Sequence, residues 1–218
     1  MHSADLRVST NGPCTVYPVD LFLISATSTT LQWAVKYLAR APEVQRKLRR
    51  ELVEQLPNPG ERTITYKELS DSKLLPYLTA VVYEVLRVAR VANAVNRDTT
   101  CDTVILGHHI PKGTQIFFTL GYTQLFESEN HRAIADGLEG IRSESSRKGG
   151  RKEGYWSADD CTEFRPERWI MPDGSFNANA GPWFPFSLGF RGCFGIRLAV
   201  RILALRVFMS LTDDLFRY

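Results

Sequence analysis

The 218-residue sequence carries 27 basic and 24 acidic side chains, a net charge of +3, with 44% hydrophobic and 23% charged residues. This balance excludes wholesale disorder, its length suffices for one cored domain, and so even a charge gives no ground for a nucleic-acid partner. Four cysteines, Cys14, Cys101, Cys161 and Cys193, form no Cys-x-x-Cys pair, which excludes a dense disulfide scaffold or paired zinc ligands and favours reduced, intracellular thiols.

Residues 1–19 read as a polar, irregular lead-in, broken by Gly12 and Pro13 and lacking the basic start and apolar run of a signal peptide. No stretch approaches the roughly 20 apolar residues that span a bilayer, so no membrane span is expected. From Asp20 to Ala39 the pattern predicts one mostly buried helix, because apolar residues nearly surround it before Lys36. Pro42 and Glu43 open a second helix, which stops at Pro57-Asn58-Pro59-Gly60. Pro76 opens a third, with Leu78, Val81, Val82, Val85 and Ala89 at helical spacing. Two short strands are predicted at Thr103–Leu106 and Gln115–Leu120, joined by a turn over His108–Gly113 that leaves His108 and His109 facing solvent. A polar insertion follows at about 127–160. Its basic stretch at 142–154 has no interleaved aromatics and reads as a solvated loop. A final helix runs from Ile196 to Leu211. The fold class is mainly α with small β-sheets.

The segment Phe186-Ser-Leu-Gly189-Phe-Arg191-Gly-Cys193-Phe-Gly195 stands directly before that last helix. A thiolate stays ionised beside hydrogen-bond donors and positive potential, and a helix N-terminus supplies both. Gly189 and Gly195 allow the backbone to approach a flat ligand closely, and Arg191 offers a fork of donors to a carboxylate. The segment resembles the haem loop of cytochromes P450, F-x-x-G-x-R-x-C-x-G, at every defined position. The resemblance implies haem as cofactor, Cys193 as the iron ligand, Arg191 on a haem propionate and Phe186 packed beside the thiolate. It also implies an incomplete P450 fold over residues 20–218, from the distal helix through the haem loop to the last helix.

Glu84-x-x-Arg87 places an acid and a base three apart on one helix face, close enough to pair. Phe164-Arg165-Pro166-Glu167-Arg168-Trp169 is similar to the family's PERF-type motif. By that resemblance Glu84, Arg87 and Arg168 form a structural network bracing the haem core. Arg97 lies in a stretch similar to the one where the family's arginine reaches a propionate; read alone, it is a surface arginine before a strand.

The first helix resembles the family's distal helix, whose signature pairs an acid with an alcohol for proton delivery at the open face of the haem. Anchored on Thr27–Trp33, these positions fall on Ser25 and Ala26; shifted by three, they fall on Ser28 and Thr29. Neither alignment supplies a carboxylate. The resemblance begins near Asp20, whereas complete members are much longer, so a truncated or mis-assembled product with exposed apolar helix faces is expected. The implied function is haem-thiolate monooxygenation of a small organic substrate, with electrons from an NADPH-dependent reductase. The alternative is a non-catalytic remnant that binds haem weakly or not at all. Complete eukaryotic relatives are intracellular and anchored to the endoplasmic reticulum by a segment not found here.

Overall fold

A computed structural model describes residues 18–56, 64–105, 107–121, 154–187 and 192–212, with backbone alone for 18–24 and 212. Most of the lead-in, the 57–60 breaker, most of the insertion including its basic stretch, and positions 188–191 with Gly189 and Arg191 lie outside the described residues.

Helix α1 (Pro18–Arg40) starts two residues earlier than expected and turns at Ala41 into α2 (Pro42–Gln55). At the end of α1, Leu38 O accepts from Ala41 N at 3.1 Å and from the Gln45 side-chain amide at 2.7 Å, which ties the start of α2 to the close of α1. Val44, Leu48 and Leu52 form the buried stripe of α2 at four-residue spacing. A one-turn helix α3 (Tyr66–Leu69) is held by a capping box. There Thr65 Oγ1 accepts from Glu68 N, and the Glu68 carboxylate accepts from Thr65 N at 2.8 Å.

Helix α4 (Pro76–Ala89) is the centre of the molecule, buried on almost every side. Its N-cap, Leu75, has no capping side chain. Glu51 of α2 takes that role from across the interface, accepting from Tyr77 N at 2.7 Å and Leu78 N at 2.8 Å. Burial pushes the Glu51 carboxyl above the ordinary range, and the two amide bonds pull it only part of the way back. Leu78, Val81, Val82 and Val85 pack with Leu48 and Leu52 of α2. They also meet Leu203, Val207, Phe208 and Leu211 of the last helix, α5 (Ile196–Thr212).

Four short strands follow α4: β1 (Val95–Asp98), β2 (Thr103–Ile105), β3 (His108–Ile110) and β4 (Gln115–Phe118). β1 pairs antiparallel with β4 and β2 with β3, giving two separate two-stranded ladders. The expected turn at His108–Gly113 is therefore partly a strand. Gly107 at φ 81° and Gly113 at φ 83° make the bends, and His108–Ile110 between them pairs with Thr103–Ile105. Both histidines are exposed.

Two further expectations need correction. α1 is not mostly buried: among its described side chains only Ala34 and Leu38 are, because α2, α4 and α5 cover a single face of it, and Val35 is 62% exposed. The polar insertion does not extend to residue 160. Trp156 and Asp160 are buried, Trp156 against the guanidinium groups of Arg87 and Arg168 and Asp160 paired with Arg165 and Arg168.

Candidate functional site

Glu84 and Arg87 have no exposed surface, and they project from α4 one turn apart. Arg87 grips the carboxylate with two parallel bonds, Nε to Oε2 and Nη2 to Oε1, each 2.8 Å. The 3-10 turn Pro166–Trp169 brings the remaining donors. Arg168 Nε reaches Oε1 at 3.0 Å, Arg165 N reaches Oε1 at 2.8 Å, and Trp169 Nε1 reaches Oε2 at 2.9 Å. Arg87 spends its other N–H groups on the carbonyls of Cys161 (2.6 Å) and Glu163 (2.8 Å). Arg168 uses the same fork on Asp160, side chain at 2.9 Å and carbonyl at 2.7 Å, and Arg165 pairs with Asp160 from outside. Glu84, Arg87 and Arg168 thus meet in one cluster. In it two guanidinium groups, both nearly sealed from solvent, face two carboxylates, so neither sign is left uncompensated.

Sequence reasoning missed Asp160, Trp156 and Trp169 in this cluster. Burial pushes Asp160 up, but the Arg168 bonds and the charges of Arg168 and Arg165 prevail and hold it below the usual aspartate range. The Trp156 ring lies 5.1 Å from the Arg87 guanidinium and 5.4 Å from that of Arg168, a shared cation–π contact on both cations. Gly181 lies against this ring so closely that a Cβ there would fall 2.6 Å from the indole carbons. Position 169 was within reach, as it adjoins Arg168 in the motif. Trp156 and Asp160 lie in the segment expected as a polar insertion at about 127–160.

Trp183 links this cluster to the cysteine loop. It stacks on Tyr83 of α4 at 4.1 Å and meets Phe186 edge-on at 6.0 Å. Cys193 N donates to Phe186 O at 2.9 Å, closing the loop, and Ser187 bends it with φ 60°. Gly195 O accepts from Ala199 N at 2.9 Å, the first bond of α5, so Cys193 stands just ahead of that helix N-terminus. Its thiol is free and partly exposed. Among the described residues, a Cβ at Gly195 would meet only this sulfur, at an ordinary contact distance of 3.7 Å. A free thiol beside a helix start, next to a glycine, is a donor set that would suit a thiolate-ligated haem. Cys101 is exposed and Cys161 buried, its sulfur directed at Ala158 O.

Arg97 lies exposed in β1, opposite Ile116, and its guanidinium donates to Asn96 O at 2.6 Å. Of the distal-helix positions, Ser25, Ala26 and Thr29 line a cavity of about 490 Å3 between α1 and the exit of α4, while Ser28 is exposed elsewhere on the helix. Trp33, Ala89, Arg90, Val91 and Asn93 complete the lining, and no carboxylate is among these described residues.

The profile of the family Cytochrome P450 matches residues 24–128 and 149–212. The chain belongs to the cytochrome P450 family. It is 36% identical over 195 residues to Cytochrome P450 monooxygenase TRI13 of Fusarium sporotrichioides, covering 79% of this chain and 31% of that protein. It is 33% identical over 204 residues to Hps1-dma1 cluster cytochrome P450 monooxygenase cyp3.1 of Dothistroma septosporum, covering 85% and 62%. With human Cytochrome P450 2J2 the identity is 33% over 184 residues, covering 83% and 30%. The chain thus spans less than two thirds of the length of each. Among the described residues no helix is long and apolar enough to cross a membrane.

Proposed function

We propose that the chain forms the thiolate side of a haem monooxygenase that oxidises a small organic substrate with electrons from an NADPH-dependent reductase. The observation that carries this reading is the free Cys193 thiol at the start of α5, in a chain that belongs to the P450 family. When bound, a thiolate-ligated haem supplies dioxygen reduction and oxygen-atom transfer. The residues of the chain do the rest. The backbone bond from Cys193 to Phe186 O fixes the sulfur's position, and the α5 N-terminus favours its negative charge. Gly195 leaves room for the ring, and Arg191 and Arg97 would take the propionates. The Glu84–Arg87–Arg168 cluster holds α4 against the loop through Tyr83, Trp183 and Phe186.

The test is the red-shifted absorption of the reduced, CO-bound thiolate haem in the full chain. Cys193→Ala abolishes that band, whereas Cys14→Ala, Cys101→Ala and Cys161→Ala leave it intact. A band surviving Cys193→Ala rejects the assignment. A second reading is favoured by the cavity lining, where Ser25 and Thr29 offer alcohols, Ala26 only a methyl, and no acid stands among the described residues. Proton delivery is then poorly organised, and the chain binds haem with little coupled turnover. Product formation measured beside hydrogen peroxide release separates the two: coupled turnover upholds the first, and peroxide without product the second.

A further inference from the structure

The cavity between α1 and the exit of α4 holds a charged group that no step above uses. Ala26, Trp33 and Val91 give it an apolar wall, Thr29 and Asn93 a polar edge, and Arg90 is the one charged residue among the described lining. Arg90 caps α4 at φ 46°, ψ 44°, a left-handed conformation in which glycine or asparagine is the usual occupant. The side chain is partly buried, yet it forms no ion pair among the described residues. The two buried arginines nearby, Arg87 and Arg168, are by contrast fully matched by Glu84 and Asp160. The cation stands close enough to Tyr37 to oppose the upward push that burial gives its phenol. The rim is fixed, since Asn93 O accepts from Gly121 N at 2.9 Å and a Cβ at Gly121 would collide with the Asn93 side chain.

A half-buried guanidinium with no ion pair among the described residues, held on a concave wall, is a receptor for an anion, and its planar fork matches a carboxylate best. We propose that this cavity binds a small organic carboxylate, with Arg90 on the carboxylate and the Ala26, Trp33 and Val91 wall against the hydrocarbon part. The carboxylate is a substrate only if the monooxygenase reading holds, whereas the binding itself stands on the cavity alone.

The experiment is calorimetric titration of the full chain, loaded with haem and free of it, with octanoate and with octan-1-ol. A hydrogen bond to a charged group makes octanoate bind about ten- to a hundredfold more tightly than the alcohol. Arg90→Gln removes this preference and leaves haem content per chain unchanged. Arg90→Gly does the same while suiting the left-handed backbone, so misfolding does not mimic the result. Equal affinity for acid and alcohol, or a preference that survives both substitutions, overturns the proposal. So does a loss of haem in Arg90→Gln that is matched when the unsubstituted chain is loaded with haem dimethyl ester, because Arg90 then serves the cofactor's propionate. If no thiolate-haem band forms but the Arg90-dependent preference remains, the carboxylate site stands and the monooxygenase reading falls.

Discussion

Replacing Glu84 by alanine removes the acceptor for five N–H groups at once: Nε and Nη2 of Arg87, Nε of Arg168, the amide of Arg165 and the indole of Trp169. Arg87 has no exposed surface, so water cannot replace the lost partner without opening the packing of α4 on the 3-10 turn. Breaking one side of a buried ion pair costs about 3–5 kcal/mol, a large share of the roughly 5–15 kcal/mol that holds a domain folded. With a urea dependence of about 2 kcal/mol per molar, the unfolding midpoint falls by roughly 1.5–2.5 M. Removing both charges is gentler, because no stranded ion remains. The pair Glu84→Ala with Arg87→Met therefore loses clearly less than the sum of the single changes. Urea unfolding of the full chain, followed by helical circular dichroism, measures all four states. A Glu84→Ala midpoint near that of the unsubstituted chain, or strictly additive losses, refutes the claim that the cluster braces the fold.

Two other carboxylates give opposite signs with pH. Asp160 is held below its unfolded value, so in the acid range the unfolded chain binds more protons. Its stabilisation is fully present above the ordinary aspartate pKa of about 3.9 and disappears as pH falls through the depressed value. Asp160→Asn accordingly lowers stability at neutral pH and flattens the acid limb of the melting temperature against pH. Glu51 is raised, so the native state holds its proton longer and stability falls as pH rises through that value. Glu51→Ala loses the cap on α4, about 1 kcal/mol, and hydrogen exchange at Tyr77 and Leu78 speeds up before exchange elsewhere in the helix.

What the sequence disclosed divides along physical lines. The starts of α2 and α4 were legible because Pro42 and Pro76 act within their own first turn. The meeting of Glu84, Arg87 and Arg168 was legible because two short motifs each carry matched charges, although Arg168 lies 84 residues from Glu84. The motif resemblance, not periodicity, supplied that long-range link. β3 was not legible: two exposed histidines and a half-buried isoleucine carry no alternating pattern, and their pairing depends on Gly107 adopting a positive φ. The burial of α1 was misjudged because apolar residues around a helix say what it could bury, not what packs against it. Trp156 and Asp160 escaped because Trp156 packs against Arg87 of the distant α4 and Asp160 against Arg165 and Arg168 at the 3-10 turn, contacts that no periodicity within residues 154–160 signals.

These elements together explain why Arg90 is held where it is. Glu51 fixes the first turn of α4, and Glu84 and Arg87 lock its middle to the 3-10 turn. Tyr37 of α1 then donates to Val88 O at 3.5 Å in the last turn. A helix restrained at all three levels has little freedom to shift along its axis, so the left-handed residue that ends it points consistently toward the cavity. The same rigidity reaches Cys193 by another route, through Tyr83, Trp183 and Phe186. The bracing cluster therefore sets the geometry of the cysteine loop and of the cavity wall together. It follows that loosening Glu84 should disturb both at once, whereas a change at Arg90 should leave the cysteine loop untouched.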